Sequence, residues 1–323
     1  MAQSFDIRKR MRSIGDIRQM TRAMYLISAV KMKKARAQLA MTLPFFESCR
    51  VTMAQIHRMS PDVRNRYFTG HRPKEGEKQV IGYFLLTGDQ GLAGAYNMNL
   101  LHAAENRIRK DLIDKARQGV PAEARLFVAG TIGKDTLRAH GFEVDEDFTY
   151  PIDSPTYFRA REISDKIHDL FERRELHEVH VVYTVIHSAI DMRPVVTRLV
   201  PIDADSLLDG ISPGMAAGLA DKKAESIEYV PSPADVLDYL VSTYLRGMVY
   251  GALTEAYASE QTARMTAMDN ATENAEDILE RLRLQSNQLR QAAITAELSE
   301  IVGGAEVLSA AELVRRFDAH ANE

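Results

Sequence analysis

The stretch TGDQGLAGAYN (Thr87–Asn97) comes closer to a cofactor-binding motif than the rest of the sequence. Its glycines, Gly88, Gly91 and Gly94, stand between a predicted strand and a predicted helix, where dinucleotide-binding folds place their phosphate loop. That loop needs the spacing G-x-G-x-x-G, whereas the spacing here is G-x-x-G-x-x-G, and no acidic residue ends a second strand about 20 residues later. We therefore interpret Asp89, Gly91 and Gly94 as residues of a structural turn.

A second glycine pair, in AGTIGKDT (Ala129–Thr136), partly matches the phosphate loop of nucleoside triphosphatases. Only two residues separate Gly130 from Gly133, where that loop has four, and Asp135 stands where a Ser or Thr should bind magnesium. We predict no phosphate binding at this stretch.

Three histidines, His177, His180 and His187, surround one predicted strand. Side chains on a strand alternate between its faces, so His180 lies on the opposite face from the other two, which does not favour zinc. No Ser-His-Asp set or carboxylate pair has a spacing that indicates catalysis. The sequence therefore predicts no active site on this chain.

The composition is that of a globular protein without disulfide bonds. Of 323 residues, 45% are hydrophobic and 27% are charged, and Cys49 is the single cysteine, which indicates a reducing compartment. No apolar run reaches the roughly 20 residues that cross a bilayer, and the charged N-terminus has no secretory signal. We expect a soluble, cytoplasmic protein or one peripheral to a membrane.

Positive charge is concentrated at the N-terminus, although the net charge of the chain is −4. Such a segment can bind nucleic acid, an acidic membrane surface or an acidic protein. We favour an acidic protein partner and no nucleic acid, because no aromatic residues are interleaved with these charges. Residues 1–36 contain ten basic side chains against two acidic ones, Asp6 and Asp16: Arg8, Lys9, Arg10, Arg12, Arg18, Arg22, Lys31, Lys33, Lys34 and Arg36.

The two ends of the chain each predict one long helix, at residues 1–57 and 233–318. Helices of about 50 and 70 residues would extend roughly 75 and 105 Å. In both, apolar residues recur in steps of three and four, which indicates the narrow seam of a coiled coil. The seam positions are Ile7, Met11, Ile14, Arg18, Thr21, Tyr25, Ser28, Met32, Ala35 and Leu39 in the first helix, and Met265, Met268, Thr272, Ala275, Leu279, Leu282, Ser286, Leu289, Ala293, Ala296 and Glu300 in the second.

Residues 78–202 predict a Rossmann-like α/β domain, followed by a linker at residues 203–232 that is rich in Gly, Ser, Asp and Pro. Three apolar runs alternate with helical patterns, which is typical of a mostly parallel sheet, and a fourth run predicts an antiparallel neighbour. The fold class is therefore α/β with long helices: an antiparallel two-helix coiled coil from both termini plus this inserted domain. The predicted strands are Gln79–Gly88, Ala124–Gly130, Glu178–Ser188 and Pro194–Ile202, and the predicted helices are Met98–Arg117, Lys134–His140 and Pro155–Arg173.

Four stretches resemble the gamma subunits of F-type ATP synthases. MTRAMYLISAVKMKKAR (Met20–Arg36) is similar to the family's N-terminal helix, and TGDQGLAGAYN stands where the family has S-D-R-G-L-C-G-x-x-N. Two blocks of the family's C-terminal helix are matched by ASEQTARMTAMDNATENAEDILERL (Ala258–Leu282) and RQAAITAELSEIVGGAE (Arg290–Glu306). The matches keep the family's order and cover nearly the whole chain.

This resemblance implies a central stalk. In the family, the coiled coil lies inside an alpha3-beta3 hexamer, and the α/β domain lies against the epsilon subunit and the membrane ring of c subunits. Rotation couples the flow of protons or sodium ions to ATP synthesis or hydrolysis on beta. The resemblance implies a non-catalytic subunit without its own cofactor or metal, because ATP, ADP and magnesium bind to alpha and beta. It also implies a peripheral location on the cytoplasmic face of a bacterial inner membrane, with only indirect contact to delta and the peripheral stalk.

The resemblance further implies which residues contact alpha and beta. Met24 matches the methionine of the family's K-A-M, Arg290 and Gln291 match its R-Q pair, and Thr295 and Glu297 match its I-T-x-E residues.

The sequence also departs from the family's pattern. Gln90 replaces a basic residue, Ala93 replaces a cysteine, and Ala296 replaces a glutamine that could bond to beta. Tyr25 and Val30 also differ from the commonest residues, and the tail, residues 307–323, has no assigned role.

Two alternative functions remain open. A static coiled-coil scaffold with an α/β head needs the same long seams but no catalytic partner. A nucleotide-binding or phosphate-binding enzyme would use the turn from Gly88 to Gly94.

Overall fold

The computed structural model describes residues 2–60, 62–74, 76–148, 150–188, 191–211 and 229–320, with side chains described between residues 5 and 303 of these ranges and at Ala305. The chain forms two compact units. Unit 1 combines the residues up to Met24 with those from Met268 onward, and unit 2 is Tyr25–Ala267. As a division into domains, the four segments proposed from the sequence stay a prediction.

Both predicted long helices are confirmed. Helix α1 spans Ala2–Met59 and helix α6 spans Pro233–His320. Helix α1 continues through Pro44, and α6 continues through Gly303. Around Pro44, packing of one face, with Phe46 half-buried and Cys49 buried, stabilises α1 more than the intrinsic propensity of a single residue does. A glycine inside a helix costs only about 1 kcal/mol relative to alanine, so Gly303 does not end α6.

A four-stranded sheet forms the centre of unit 2, in the order β2-β1-β3-β4. Strand β1 pairs in parallel with β2 and β3, and β4 is antiparallel to β3. The prediction of a mostly parallel sheet with one antiparallel neighbour is therefore confirmed, with strand ends within two residues of those predicted. The strands are β1 (Gln79–Leu86), β2 (Ala122–Ala129), β3 (Glu178–Ile186) and β4 (Met192–Val200).

The sheet buries apolar side chains on both faces, because successive residues of a strand point to opposite sides. Tyr83 and Leu85 lie in one core with residues of helix α3, and Phe84 and Leu86 lie in another with residues of α5 and α6. The shorter helices are α3 (Tyr96–Arg117), α4 (Thr131–Ala139) and α5 (Tyr157–Glu172). All three occupy the positions that the sequence predicts, to within three residues.

Two short helices were not predicted. Helix α2 (Arg66–Thr69) follows α1, and a 3-10 helix (Asp205–Leu208) lies inside the predicted linker. Their length of four residues is too short for a hydrophobic period to be recognised. Most of the predicted linker, residues 212–228, lies outside the described residues.

Candidate functional site

In unit 1, α1 and α6 run antiparallel with the predicted seam between them. The hydroxyl oxygens of Thr21 and Thr272 lie 2.8 Å apart, and both side chains are buried. Ala275 and Leu279 are also buried on α6. The predicted antiparallel coiled coil is therefore confirmed in this unit.

Two ion pairs flank this seam. The Arg18 guanidinium lies 3.5 Å from the Glu276 carboxylate, and the Arg22 guanidinium lies 3.9 Å from that of Asp269. All four side chains are about half exposed, so each pair stabilises the coil by about 0–1 kcal/mol. Their main effect is on register, because opposite charges beside a seam select one alignment of the helices.

The seam ends near Leu289, where α1 begins on the other side. Leu282, Ser286 and Leu289 are half-buried, but every residue of α6 from Arg290 to Gly303 is exposed. The prediction that the seam continues is therefore wrong for pairing with the part of α1 whose side chains the structure describes. The residues affected are Ala293, Ala296 and Glu300.

Four of the predicted contact residues lie on this unpaired part of α6. Arg290, Gln291, Thr295 and Glu297 are all exposed, and the Thr295 hydroxyl donates to the Gln291 carbonyl at 2.9 Å. Apolar side chains are exposed between them, including Ile294, which is 49% exposed. The surface therefore presents polar groups and uncovered apolar side chains together, which marks an interaction surface.

Met24, the fifth predicted contact residue, lies elsewhere. It is half-buried on α1, two residues after Arg22, whose partner is Asp269. Asp269 precedes Arg290 by 21 residues, about 32 Å along a helix. The structure therefore does not bring Met24 together with the other four residues.

The predicted turn after β1 is held by backbone and side-chain bonds. The Asp89 carboxylate accepts hydrogen bonds from the backbone N–H groups of Ile152 at 2.6 Å and Asp153 at 3.1 Å. Gly94 has a φ of +56°, in the left-handed region that favours glycine. Gly91 has no atom within 4 Å of the position of an added Cβ, so its role is not one of close packing.

A buried ion pair of α6 contacts the same turn and was not predicted. The guanidinium of Arg264 lies 2.5 Å from the carboxylate of Glu260 and donates to the carbonyls of Gln90 at 3.1 Å and Gly91 at 3.3 Å. Burial raises the pKa of Glu260, and the hydrogen bond from Arg264 opposes that increase. A carbon added at Gly88 would lie 2.9 Å from the Glu260 carboxylate, so only glycine fits there without displacing it. The sequence contained one indication of this pair: Glu260 and Arg264 are four residues apart, a spacing that makes two side chains neighbours on a helix.

The glycines of the partial phosphate motif pack against Thr87. A Cβ at Gly130 would lie 2.1 Å from the Thr87 carbonyl oxygen, and the Gly133 N–H donates to the Thr87 hydroxyl at 3.2 Å. One backbone donor at the start of α4 is therefore already bonded, and both glycines have a packing role.

The three histidines have separate surroundings. His177 accepts a hydrogen bond from the Val80 N–H, while His180 stacks on Tyr83 and bonds to Glu178. His187 is exposed. Among the described residues, no group of three or more His, Cys, Asp or Glu side chains is placed to bind a metal ion.

Comparison with known proteins identifies the family. A family model described as ATP synthase matches residues 3–308. A protein named ATP synthase gamma chain, from Ruminiclostridium cellulolyticum, is 42% identical over 94% of this chain and 98% of its own length. This chain belongs to the ATP synthase gamma chain family. A family member from Acetivibrio thermocellus is 40% identical over 95% of this chain and 100% of its own length. Another, from Acetobacterium woodii and named as sodium ion specific, is 33% identical over 94% of this chain and 98% of its own length.

Solved structures of the family share the fold. A chain of the mitochondrial ATP synthase of Euglena gracilis, in a structure containing OSCP, F1 and the c-ring, aligns with a TM-score of 0.58 and 14% identity over 96% of both chains. A chain of the central stalk and c-ring structure from Tetrahymena thermophila aligns with a TM-score of 0.52 and 20% identity, covering 78% of this chain and 99% of that one. The long-helix α/β fold is thus that of gamma chains.

None of the helices that the structure describes has the length and apolar content of a membrane-spanning segment.

Proposed function

We propose that this chain is the central, rotating stalk of a proton- or sodium-transporting ATP synthase. It would turn inside an alpha3-beta3 hexamer and couple ion flow through a c-ring to ATP synthesis or hydrolysis on beta. The observation that carries this proposal is the unpaired part of α6, Arg290–Gly303, which continues beyond the seam with every side chain exposed. Its exposed apolar side chains, such as Ile294, Leu298 and Ile301, favour contact with the surface of another protein.

The stalk would act by differential contact. A rotating helix presents a different set of side chains to each beta subunit, and a contact shifts an equilibrium only as far as it favours one state over the other. Arg290, Gln291, Thr295 and Glu297 supply exposed polar groups, each worth about 1 kcal/mol in a hydrogen bond or ion pair. Contacts of that size break and form again during rotation, while the exposed apolar residues between them make non-directional contact.

We further propose that the chain is non-catalytic and holds no cofactor of its own. ATP, ADP and magnesium would bind to alpha and beta. The packing of Gly130 and Gly133 against Thr87 supports this proposal, because it gives the glycines of the phosphate-like motif another role.

The α/β domain would contact the epsilon subunit and the c-ring, placing the chain peripherally on the cytoplasmic face of a bacterial inner membrane. Delta and the peripheral stalk would be contacted only indirectly. The solved structures with which this chain aligns contain a central stalk and a c-ring in one case, and F1 and a c-ring in the other, which supports this arrangement.

Co-purification tests the proposal. The full chain, expressed with the alpha and beta subunits of an ATP synthase from the same organism, should be recovered in one complex that hydrolyses ATP. Recovery of the chain only as a free homodimer, with alpha and beta present in the same extract, would favour a static scaffold and contradict the proposal. Tight binding of a nucleotide to the isolated chain would favour the enzyme alternative.

A further inference from the structure

In unit 2, the segment of α6 from Glu255 to Arg264 is bonded to the end of strand β3, to Tyr96 of α3 and to the turn after β1. The Ser259 hydroxyl donates to the Thr184 carbonyl at 2.7 Å, and Glu255 accepts from the Ile186 N–H at 3.1 Å. Both acceptor and donor belong to the last residues of β3. This segment of α6 therefore bonds directly to the C-terminal end of strand β3.

Two further side chains join the same segment to the region after β1. The Tyr96 hydroxyl donates to the Ala256 carbonyl at 3.0 Å. Arg264 makes three N–H contacts with the carbonyls of Gln90 and Gly91, at 3.1 to 3.3 Å. Six contacts therefore join this segment of α6 to β3, to Tyr96 and to the turn after β1, and three of the six are made by Arg264. We call these six contacts the polar junction.

The ion pair holds Arg264 in position. Glu260 lies one helical turn before Arg264, and the two side chains are only 5% and 8% exposed. The carboxylate also rests on Gly88, where a larger residue would displace it. Glu260 therefore orients the guanidinium toward the turn, and Gly88 provides the space that the pair needs.

The polar junction lies far from the covalent connections between α6 and the sheet. The chain leaves β4 at Val200 and enters α6 at Pro233, and Glu255 follows Pro233 by 22 residues, about 33 Å along the helix. Between these levels α6 packs mainly through apolar residues such as Val241 and Leu253, with one ion pair of 3.0 Å from Arg246 to Asp165 of α5. Apolar contact is non-directional, whereas hydrogen bonds fix one orientation.

We propose that the polar junction fixes the α/β domain at one rotational position on the part of α6 that belongs to unit 2, so that the domain turns rigidly with this part of the helix. The inference rests on the proposed function as a rotating stalk. Arg264 and Glu260 are positioning residues in this scheme, because they act through the turn at Gln90 and Gly91. Without the ion pair, the α/β domain should twist more easily about the axis of α6.

The test is the double substitution Glu260→Met with Arg264→Met in the assembled enzyme. Both replacements have side chains of similar size, and replacing a buried ion pair by hydrophobic residues of similar volume is often neutral for stability. The carbonyls of Gln90 and Gly91 are at exposed residues, where water replaces the lost donors. The variant should therefore fold, assemble and hydrolyse ATP.

The matched control is Arg125→Met with Asp145→Asn. This ion pair of 2.8 Å also belongs to unit 2, but it joins β2 to the segment after α4 and has no contact with α6 in the described residues. This control variant removes the same number of charges as the test variant and leaves the polar junction unchanged.

The readout is torsional stiffness. With the hexamer fixed to a surface and the enzyme stalled, a probe on Lys110→Cys in a Cys49→Ser background reports angular fluctuation of the α/β domain. Lys110 is exposed on α3. The double substitution should raise the variance of the probe angle about twofold, because three of six directional bonds are lost, and the control should match the parent enzyme.

A variance equal to that of the parent, or an equal rise in the control, would overturn the inference. If the double variant does not assemble, Ser259→Ala removes one hydroxyl of the polar junction and should give a smaller rise, and no rise would again overturn it. The proposed function fails separately, if the probe on the parent enzyme does not turn when ATP is hydrolysed.

Discussion

The hydroxyl oxygens of Thr21 and Thr272 lie 2.8 Å apart inside the seam of unit 1. Each hydroxyl also has an acceptor on its own helix, the Arg18 carbonyl at 3.0 Å and the Met268 carbonyl at 2.7 Å. Each hydroxyl carries one hydrogen, so one hydroxyl donates to the other and the second donates to the carbonyl of its own helix. Both buried polar groups are thereby satisfied. They select one register of the two helices, since a shift of either would leave a hydroxyl facing apolar residues.

A double-mutant cycle tests this pairing. Thr21→Val and Thr272→Val should each lower the free energy of unfolding by about 1 kcal/mol, and the double variant should lose less than their sum. Urea unfolding of the full chain, followed by helical circular dichroism, gives the values. Thr42→Val is the matched control, because Thr42 bonds only to carbonyls of its own helix. Strictly additive losses would show that the hydroxyls do not interact.

Glycine packing at Thr87 gives a second prediction. Gly133→Ala should lower the free energy of unfolding by about 1–3 kcal/mol, because the added carbon would lie 2.4 Å from the buried Thr87 side chain. Gly91→Ala, where nothing lies within 4 Å, should change it by less than about 0.5 kcal/mol. Thermal and urea unfolding compare the two. Equal effects would contradict the packing role of Gly133.

The sequence was sufficient to predict those elements whose residue pattern repeats regularly along the chain. Steps of three and four placed Thr272 and Leu279 in the seam, and β-branched apolar runs located all four strands. The end of the seam at Leu289 was not predictable, because it depends on where α1 begins opposite it. The burial of Arg264 was missed for a related reason: a charged side chain is normally exposed, and only the carbonyls of a distant turn make its burial favourable.

The pH dependence of stability should include a contribution from Glu178. Burial raises its pKa, but hydrogen bonds from His180 and Lys115 lower the pKa to about 2, below its usual 4.5. Its stabilisation is therefore fully present above pH 4.5 and is lost as the pH falls toward 2. At pH 6, Glu178→Gln should cost on the order of 3 kcal/mol. Urea unfolding at pH 6 and pH 3 should show this difference shrink with acid, and a constant difference would contradict the assignment.

The exposed polar residues of α6 should act on coupling and leave folding unchanged. Arg290→Ala with Glu297→Ala should change the free energy of unfolding by less than about 0.5 kcal/mol, because both side chains are exposed. In the reconstituted enzyme, ATP-driven ion pumping should fall relative to ATP hydrolysis. Glu280→Ala with Arg283→Ala, also exposed on α6, is the control for charge removal. Unchanged pumping in the first variant would remove Arg290 and Glu297 from the contact surface.

The central claim is that this chain rotates as the stalk of an ATP synthase. The most direct measurement fixes the alpha3-beta3 hexamer to a surface and follows a probe at Lys110→Cys on the α/β domain while ATP is hydrolysed. The proposed function predicts rotation in one direction, in steps of one third of a turn, that stops when ATP is removed. Steady ATP hydrolysis by the complex with a probe that never turns would contradict it.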